Sequence, residues 1–311
     1  MNKIAKLSEK SYAPLISLLC VQLCFGSLPT VGKIVLQKLP ALSLVGIRVG
    51  MATLIMIAIQ VFKKDLWLKD KKDYFTLAVL SLFGVSLNQL FFIGGLSLTK
   101  ASNSALLAVT IPIFTLIISL FLKTERLRTI KVIGIIIALF GVLLLIDPRK
   151  ASFSSETTLG DFMIILNSLC YGIYVVSSKE TILKNGAIKA TAWIFCFGSL
   201  ICVPLGLYSF SGVNTDTLDT KFWLMILHIG VICTALPYLL ISWSLARVNP
   251  STVAVFVYLQ PLIGFSLAVI FLGEQFTQYT IFAAILIFIG VYFATKRHQT
   301  TLPPTIDETT L

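Results

Sequence analysis

Long apolar runs separated by short polar turns repeat along the whole chain, without the period-2 alternation that marks a half-buried strand. Ten such runs lie at 12–36, 41–62, 74–98, 101–122, 128–146, 160–178, 188–210, 222–246, 249–272 and 277–296. A helix rises about 1.5 Å per residue, so about 20 apolar residues cross the roughly 30 Å hydrocarbon layer, and each run is near that length. The pattern predicts an all-α integral membrane protein of ten transmembrane helices. Lys3, Lys6 and Lys10 precede the first run as they would in a signal peptide. That run is too long for one and lacks a small-x-small cleavage site, so it is expected to stay as the first helix. The tail at 297–311, RHQTTLPPTIDETTL, is polar with a Pro-Pro and has nothing to bury, which predicts a disordered end.

Two of the runs are copies of one another. Residues 95–125 and 244–274 align without a gap at an offset of 149, placing Pro112 on Pro261, Glu125 on Glu274, Ser102 on Ser251 and Ala105 on Ala254. Further on, Gly141-Val142 falls on Gly290-Val291. A proline inside an apolar run and a carboxylate closing it are both costly, so their recurrence at one offset outweighs the thin identity around them. The chain therefore reads as two units, 10–146 and 160–296, each with five helices. The polar stretch DPRKASFSSETTL, 147–159, links them.

Composition agrees with the pattern: 57% of residues are hydrophobic, 13% are charged and the mean hydropathy is +0.92. The formal charge of +11 would point to nucleic acid in a soluble protein, but here the basic residues sit in short loops and carry topology instead. With the N-terminus inside, eighteen lysines and arginines fall on the cytoplasmic side and six on the other, Arg48 remaining within a helix. Both termini are thus expected in the cytoplasm and the linker outside. Five helices per unit is an odd number, so the second unit must enter the membrane from the opposite side, and the repeats are inverted. Inverted repeats are an architecture of secondary transporters, with the substrate near the midplane between them. All six cysteines lie inside apolar runs, which speaks against a disulfide framework or a zinc site. No HExxH, serine elbow, phosphate loop or acidic metal cluster is present, so no enzyme, metal or cofactor is expected. The expected partners are the lipid bilayer and a small molecule, with no nucleic acid.

Paired motifs then carry a resemblance. Phe25-Gly26 with Lys33 seven residues on is matched by Tyr171-Gly172 with Lys179, and Cys24 by Cys170. Pro40 precedes Arg48 of the second helix, and Ala-Ser-Asn at 101–103 and Asn-Pro-Ser at 249–251 open the fourth and ninth. Together with the Pro and Glu pairs, these residues resemble the drug/metabolite transporter superfamily, specifically its ten-helix EamA group of bacterial metabolite exporters, over about 10–296. The resemblance implies a multi-pass protein of the bacterial inner membrane, with helices 1, 3, 4, 6, 8 and 9 around a central cavity. It implies that helices 5 and 10 pack the repeats together or form a homodimer contact. Substrates would be amino acids, related amines, nucleotide-linked metabolites such as S-adenosyl compounds, or other small solutes. Export of an amino acid or related polar solute by alternating access is the leading expectation, with a nucleotide-type or lipid substrate as the alternative.

Polar and aromatic side chains inside the spans are the candidate pathway, since they are expensive against lipid. The adjacent amides Asn88 and Gln89 are the sharpest, with Gln22 on the Gly26 face of helix 1 and Asn167 and Ser168 near the matching turn of helix 6. Interhelical hydrogen bonding competes with pathway lining for all of them. Tyr171, Tyr174, Tyr238, Trp243 and Tyr258 join an apolar body to a polar tip, which suits a substrate or an interfacial anchor. Pro112 and Pro261, with Glu125 and Glu274, are expected to be framework or hinge, the glutamates capping helix ends rather than carrying protons. Arg48 is open between snorkelling, a carbonyl partner and a substrate carboxylate, and a structural role for it is favoured. Asp161, at the very start of helix 6, is the only aspartate inside a span, so uniport and proton antiport both stay open.

Overall fold

The computed structural model describes residues 12–146, 157–215, 218–263 and 278–295, which contain helices, turns and loops and no strand. Glu274, most of the 147–159 linker and the 297–311 tail lie outside the described residues. The helices are α1 Ala13–Leu36, α2 Ala41–Phe62, α3 Lys71–Leu98, α6 Thr158–Asn185, α7 Ala187–Phe210 and α8 Thr220–Leu245, all long and apolar enough to cross a membrane. Shorter apolar helices accompany them: α4, in two pieces Ala101–Leu107 and Thr110–Phe121, α5 Thr129–Ile146, α9 Pro250–Ile263 and α10 Gln278–Thr295. Large apolar side chains such as Leu54, Phe75, Phe121, Phe140, Phe282 and Phe288 face outward, where lipid rather than water suits them.

Local chemistry sets the ends and the breaks. The Asp70 carboxylate caps α3 through the Lys72 N–H, and the Asp219 carboxylate caps α8 through the Phe222 N–H. Between α6 and α7 the chain turns on Gly186 alone, at φ 87°, a conformation that a side chain would strain. Pro112 cannot donate to the Ala108 carbonyl four residues back, so α4 breaks at Ala108–Val109 and the Ile111 N–H takes that carbonyl at 3.1 Å. The same happens 149 residues later. Pro261 cannot serve Val257, α9 tightens into a 3-10 turn at Phe256–Leu259, and the Gln260 N–H bonds the Val257 carbonyl. Two further irregularities lie in α3 and α8, where the backbone widens to π-helix at Leu82–Ser86 and His228–Ala235.

Apolar burial gives little drive for one helix to meet another in lipid, so close packing of small residues must supply it. Gly46 of α2 lies against Gly206 and the Cys202 carbonyl of α7, and Gly50 lies against Val203. Gly95 of α3 meets the Gly160 backbone of α6. The α5–α10 contact is the most regular: Gly141 lies against Ala283 and Ile287, and Gly290 against Gly134 and Ala138. A shift of 149 turns the first set of residues into the second. The two helices therefore trade equivalent positions, and they run antiparallel, since Gly134 meets Ala294 while Gly141 meets Ala283.

A Cβ on Gly290 would lie 2.4 Å from the Ala138 backbone nitrogen, which cannot move aside cheaply. Gly290→Ala should lower stability by about 1–3 kcal/mol, read as a fall in melting temperature in detergent. Gly212→Ala, whose Cβ meets nothing within 4 Å, is the control and should stay within about 0.5 kcal/mol.

Candidate functional site

The π turns of α3 and α8 place the polar side chains of the core. In α8, Pro237 has no N–H to offer the Cys233 carbonyl four residues back. Arg48 Nη2, from α2, takes that carbonyl at 3.1 Å, while its Nε donates to Thr234 Oγ1 at 2.9 Å. Thr234 Oγ1 in turn donates to the Ile229 carbonyl at 2.7 Å, spanning the widened turn. In α3 the carbonyl of Gly84, the position 149 residues before Cys233, accepts from the Tyr238 hydroxyl at 3.1 Å. Gly84 has no side chain there because the Tyr174 ring occupies the space, 2.4 Å from where a Cβ would stand.

Tyr238 is the centre of this network. Gln89 Nε2 donates to its oxygen at 2.8 Å, and its single proton is divided between the Gly84 carbonyl and Asn88 Oδ1 at 3.0 Å. Asn88 and Asn167 tie α3 to α6: Asn167 Nδ2 donates to the Asn88 carbonyl at 2.9 Å, and Asn88 Nδ2 reaches the Asn167 carbonyl at 3.5 Å. Phe195 meets the Tyr238 ring edge-on at 4.8 Å, with Tyr174 at 6.3 Å and Phe25 at 6.4 Å, while Tyr171 packs on Tyr174 at 6.4 Å. Arg48 is 1% exposed, Tyr238 2% and Tyr174 0%, so the core is shut in this conformation.

The structure thus brings Asn88, Gln89, Asn167, Tyr171, Tyr174 and Tyr238 together. Ser168 is not part of the network, since its hydroxyl turns back to the Ile164 carbonyl of its own helix at 3.0 Å. Gln22 and Tyr258 are buried, and Gln22 Oε1 and the Tyr258 hydroxyl find no hydrogen-bond partner among the described residues. Trp243 lies apart, on an apolar groove of about 480 Å³ with Ile16, Ser17, Ile188 and Leu240, and carries the Arg247 guanidinium 4.0 Å above its ring. Thr234 and Phe195 were not among the candidates, and Arg48, read chiefly as structural, meets the carbonyl partner that was one of its three options. An arginine inside an apolar run was the available signal for Arg48, whereas Thr234 and Phe195 carried none.

Of the framework residues, Pro112 is buried and Pro261 half-buried beside the breaks already described. Glu125 sits in a built site. Its carboxylate accepts from Lys131 Nζ at 2.6 Å, from the Ser251 N–H at 3.0 Å and from the Ser251 hydroxyl at 2.5 Å. It thereby joins the end of α4 to the first turn of α9, where the helix dipole favours an anion. Burial pushes the Glu125 carboxyl up, but the Lys131 ammonium and the two Ser251 donors outweigh it and hold the carboxyl below its ordinary range. Lys179 Nζ reaches the Val248 carbonyl at 2.9 Å and Lys33 Nζ the Ser97 carbonyl at 3.4 Å, so both lysines reach toward the corners that precede α9 and α4.

Comparison with known proteins follows the same division of the chain. The model of the EamA-like transporter family matches residues 13–147 and again 158–296. An uncharacterized transporter of Archaeoglobus fulgidus is 28% identical over 269 residues, covering 86% of this chain and 92% of its own. The uncharacterized transporter YetK of Bacillus subtilis is 25% identical over 310 residues, covering 98% of this chain and 94% of its own. A solved crystal structure shares the fold at a TM-score of 0.75 and 19% identity, covering 92% of this chain and 97% of that one.

Tyr238→Phe keeps the ring and removes the hydroxyl that Gln89, Asn88 and Gly84 share, so it should cost about 1–3 kcal/mol in a detergent melt. Lys131→Met leaves the Glu125 carboxylate buried and uncompensated and should cost about 3–5 kcal/mol, while adding Glu125→Gln should recover part of the loss. The depressed carboxyl fixes the sign with pH. Its stabilisation is complete above the ordinary carboxylate range and is lost as pH falls through the lower folded value, so the gap between wild type and Glu125→Gln should close on acidification.

Proposed function

The chain belongs to the EamA-like transporter family, and we propose that it carries a small polar metabolite, an amino acid or a related solute, outward across a bacterial inner membrane by alternating access of the Tyr238-centred core. It is a multi-pass membrane transporter, and this reading adds ten spanning helices, inverted repeats and cytoplasmic termini. The observation that carries the reading is the trading of equivalent positions. Gln89 and Tyr238 stand 149 apart and bond to one another. Gly141 packs on Ala283 and Ile287, and Gly290, also 149 on, packs on Gly134 and Ala138, which stand 149 before those two. Contacts of this kind are what a two-fold axis in the membrane plane requires.

Alternating access needs a moving layer and a fixed one. The dry glycine contacts of α2 with α7 and α5 with α10 suit the fixed layer, and the matched breaks at Ala108–Val109 and Phe256–Leu259 suit hinges in α4 and α9. Glu125, holding α4 against α9 at one end of the hinge pair, fits a latch for one access state. The core residues would meet the solute: Asn88, Gln89, Asn167 and Tyr238 through polar atoms, and Tyr171, Tyr174 and Phe195 through ring faces.

Purified protein in proteoliposomes should exchange at least one amino acid or related solute across the bilayer, and Asn88→Ala should reduce that exchange by more than about tenfold while the protein still melts cooperatively. Wild-type vesicles that move no amino acid, amine or nucleotide-type solute under any gradient would overturn the reading. Exchange confined to nucleotide-type solutes would keep the mechanism and replace the substrate class.

A further inference from the structure

Arg48 has more charge and more donors than its protein partners use. It is 1% exposed on α2, and a guanidinium stays protonated even there. Nε is taken by Thr234 Oγ1 and Nη2 by the Cys233 carbonyl, while Nη1 has no hydrogen-bond partner among the described residues. Both partners are neutral. The groups within electrostatic reach, the Tyr238 hydroxyl and the Cys202 and Cys233 thiols, are neutral side chains too.

No described carboxylate answers the charge. The ion pairs in the described residues join Glu125 to Lys131, Asp65 to Lys189, and Asp70 and Asp73 to Lys184. Asp161 is held by Thr99 Oγ1 at 2.5 Å and Asn103 Nδ2 at 3.2 Å, beside the start of α4. Bracing the α8 π turn explains two of the three nitrogens, because the Cys233 carbonyl and Thr234 belong to that turn. It explains neither the third donor nor a permanent cation in a low-dielectric core, where an uncompensated charge is among the costliest features a protein can hold.

We infer that the transported solute carries a single carboxylate, which docks on Arg48 Nη1 and supplies the missing counter-charge. The inference rests on the transport reading above and narrows it to a substrate class. Charge chooses the carboxylate over a phosphate. Among the described residues Arg48 and Lys131 are the buried cations, and Lys131 is committed to Glu125, so one positive charge is available for one negative charge. A phosphate ester would bring nearly two. The rest of the solute then faces the core around Tyr238, where the Asn88 and Gln89 amides are neutral and the Tyr174 and Phe195 rings offer apolar faces. That surrounding suits an amino acid or a short carboxylic acid with an uncharged body, and it offers no second cation for a dicarboxylate.

The test compares acids with their own derivatives lacking the charge. Wild-type protein in nanodiscs is screened by thermal shift against L-amino acids and short monocarboxylates, each beside its methyl ester and its decarboxylated analogue, and hits are carried into proteoliposome counterflow. The expected result is stabilisation by at least one acid, with its ester and decarboxylated partner at least about tenfold weaker. Arg48→Gln should lose the same factor for the acid and erase the difference between acid and ester, while Arg48→Lys, which keeps the charge, should recover part of it. An ester that binds as tightly as its acid, or an Arg48→Gln protein that binds the acid unchanged, overturns the inference. Should Arg48→Gln fail to fold, the acid-to-ester ratio in wild type decides alone. A wild type that transports nucleosides or amines but no carboxylate overturns this inference and leaves the transport reading standing. One that moves no solute of any kind overturns both.

Discussion

A carbonyl released from its helix inside a bilayer has no water to turn to, and each one left unpaired costs several kcal/mol. Two carbonyls at equivalent positions, Gly84 and Cys233, lie in the π turns of α3 and α8, and Pro237 denies the second its α-helical N–H. Each accepts a side-chain hydrogen bond from the other half of the chain. Tyr238 reaches back to Gly84, and Arg48 reaches forward to Cys233. The two halves of the chain are therefore tied to each other's backbone at the centre. Separating them there requires water or a solute to take over the hydrogen bonds, which is the condition a transport cavity imposes on whatever fills it.

Away from the centre the contacts change character. Gly46 on Gly206 and Gly290 on Ala138 bring backbones together with no polar atom to re-pair, so these helix pairs have nothing that a solute or water replaces and little freedom to slide. The α4–α9 junction is different again, since the Glu125 carboxylate, the Lys131 ammonium and the Ser251 amide form a strong but discrete set that is either made or broken. Dry contacts resist small displacements, whereas a charged clamp next to a proline-broken helix suits the two-state motion proposed above.

Much of this was legible in the residues. Apolar run lengths marked the helices, and Pro112 and Pro261 marked the breaks four residues upstream, because a missing N–H always strands the same carbonyl. The π turns were less legible. Pro237 signals the one in α8, but Leu82–Ser86 contains no residue that forbids an α-helix, and what distinguishes it is the Tyr174 ring packed on Gly84 and the Tyr238 hydroxyl on its carbonyl, both tertiary contacts. Facing was legible only in part. Tyr171 and Tyr174, three apart, share a face. Trp243 lies five positions after Tyr238, which turns it about 140° around α8, out of the core and onto the lateral groove. Listing polar residues without that rotation grouped the two together.

The centre also breaks the symmetry that the scaffold keeps. On the proposed two-fold reading, residues near the axis meet their own equivalents, so identical halves would set glutamine against glutamine or tyrosine against tyrosine. Here Gln89 meets Tyr238, and a hydroxyl that accepts from one group while donating to two others needs that unlike pair. Arg48 goes further. Its counterpart in α7 is Ile194 by the 146-residue shift that sets Phe25-Gly26 on Tyr171-Gly172, or Phe197 by the 149-residue one, and neither carries charge. On the alternating-access reading, a near-symmetric frame would expose its cavity to either side with similar ease. On the inference of a carboxylate solute, a cation on one half only would fix which way round that solute sits, and the orientation of the cargo would be set by residues in which the two halves differ.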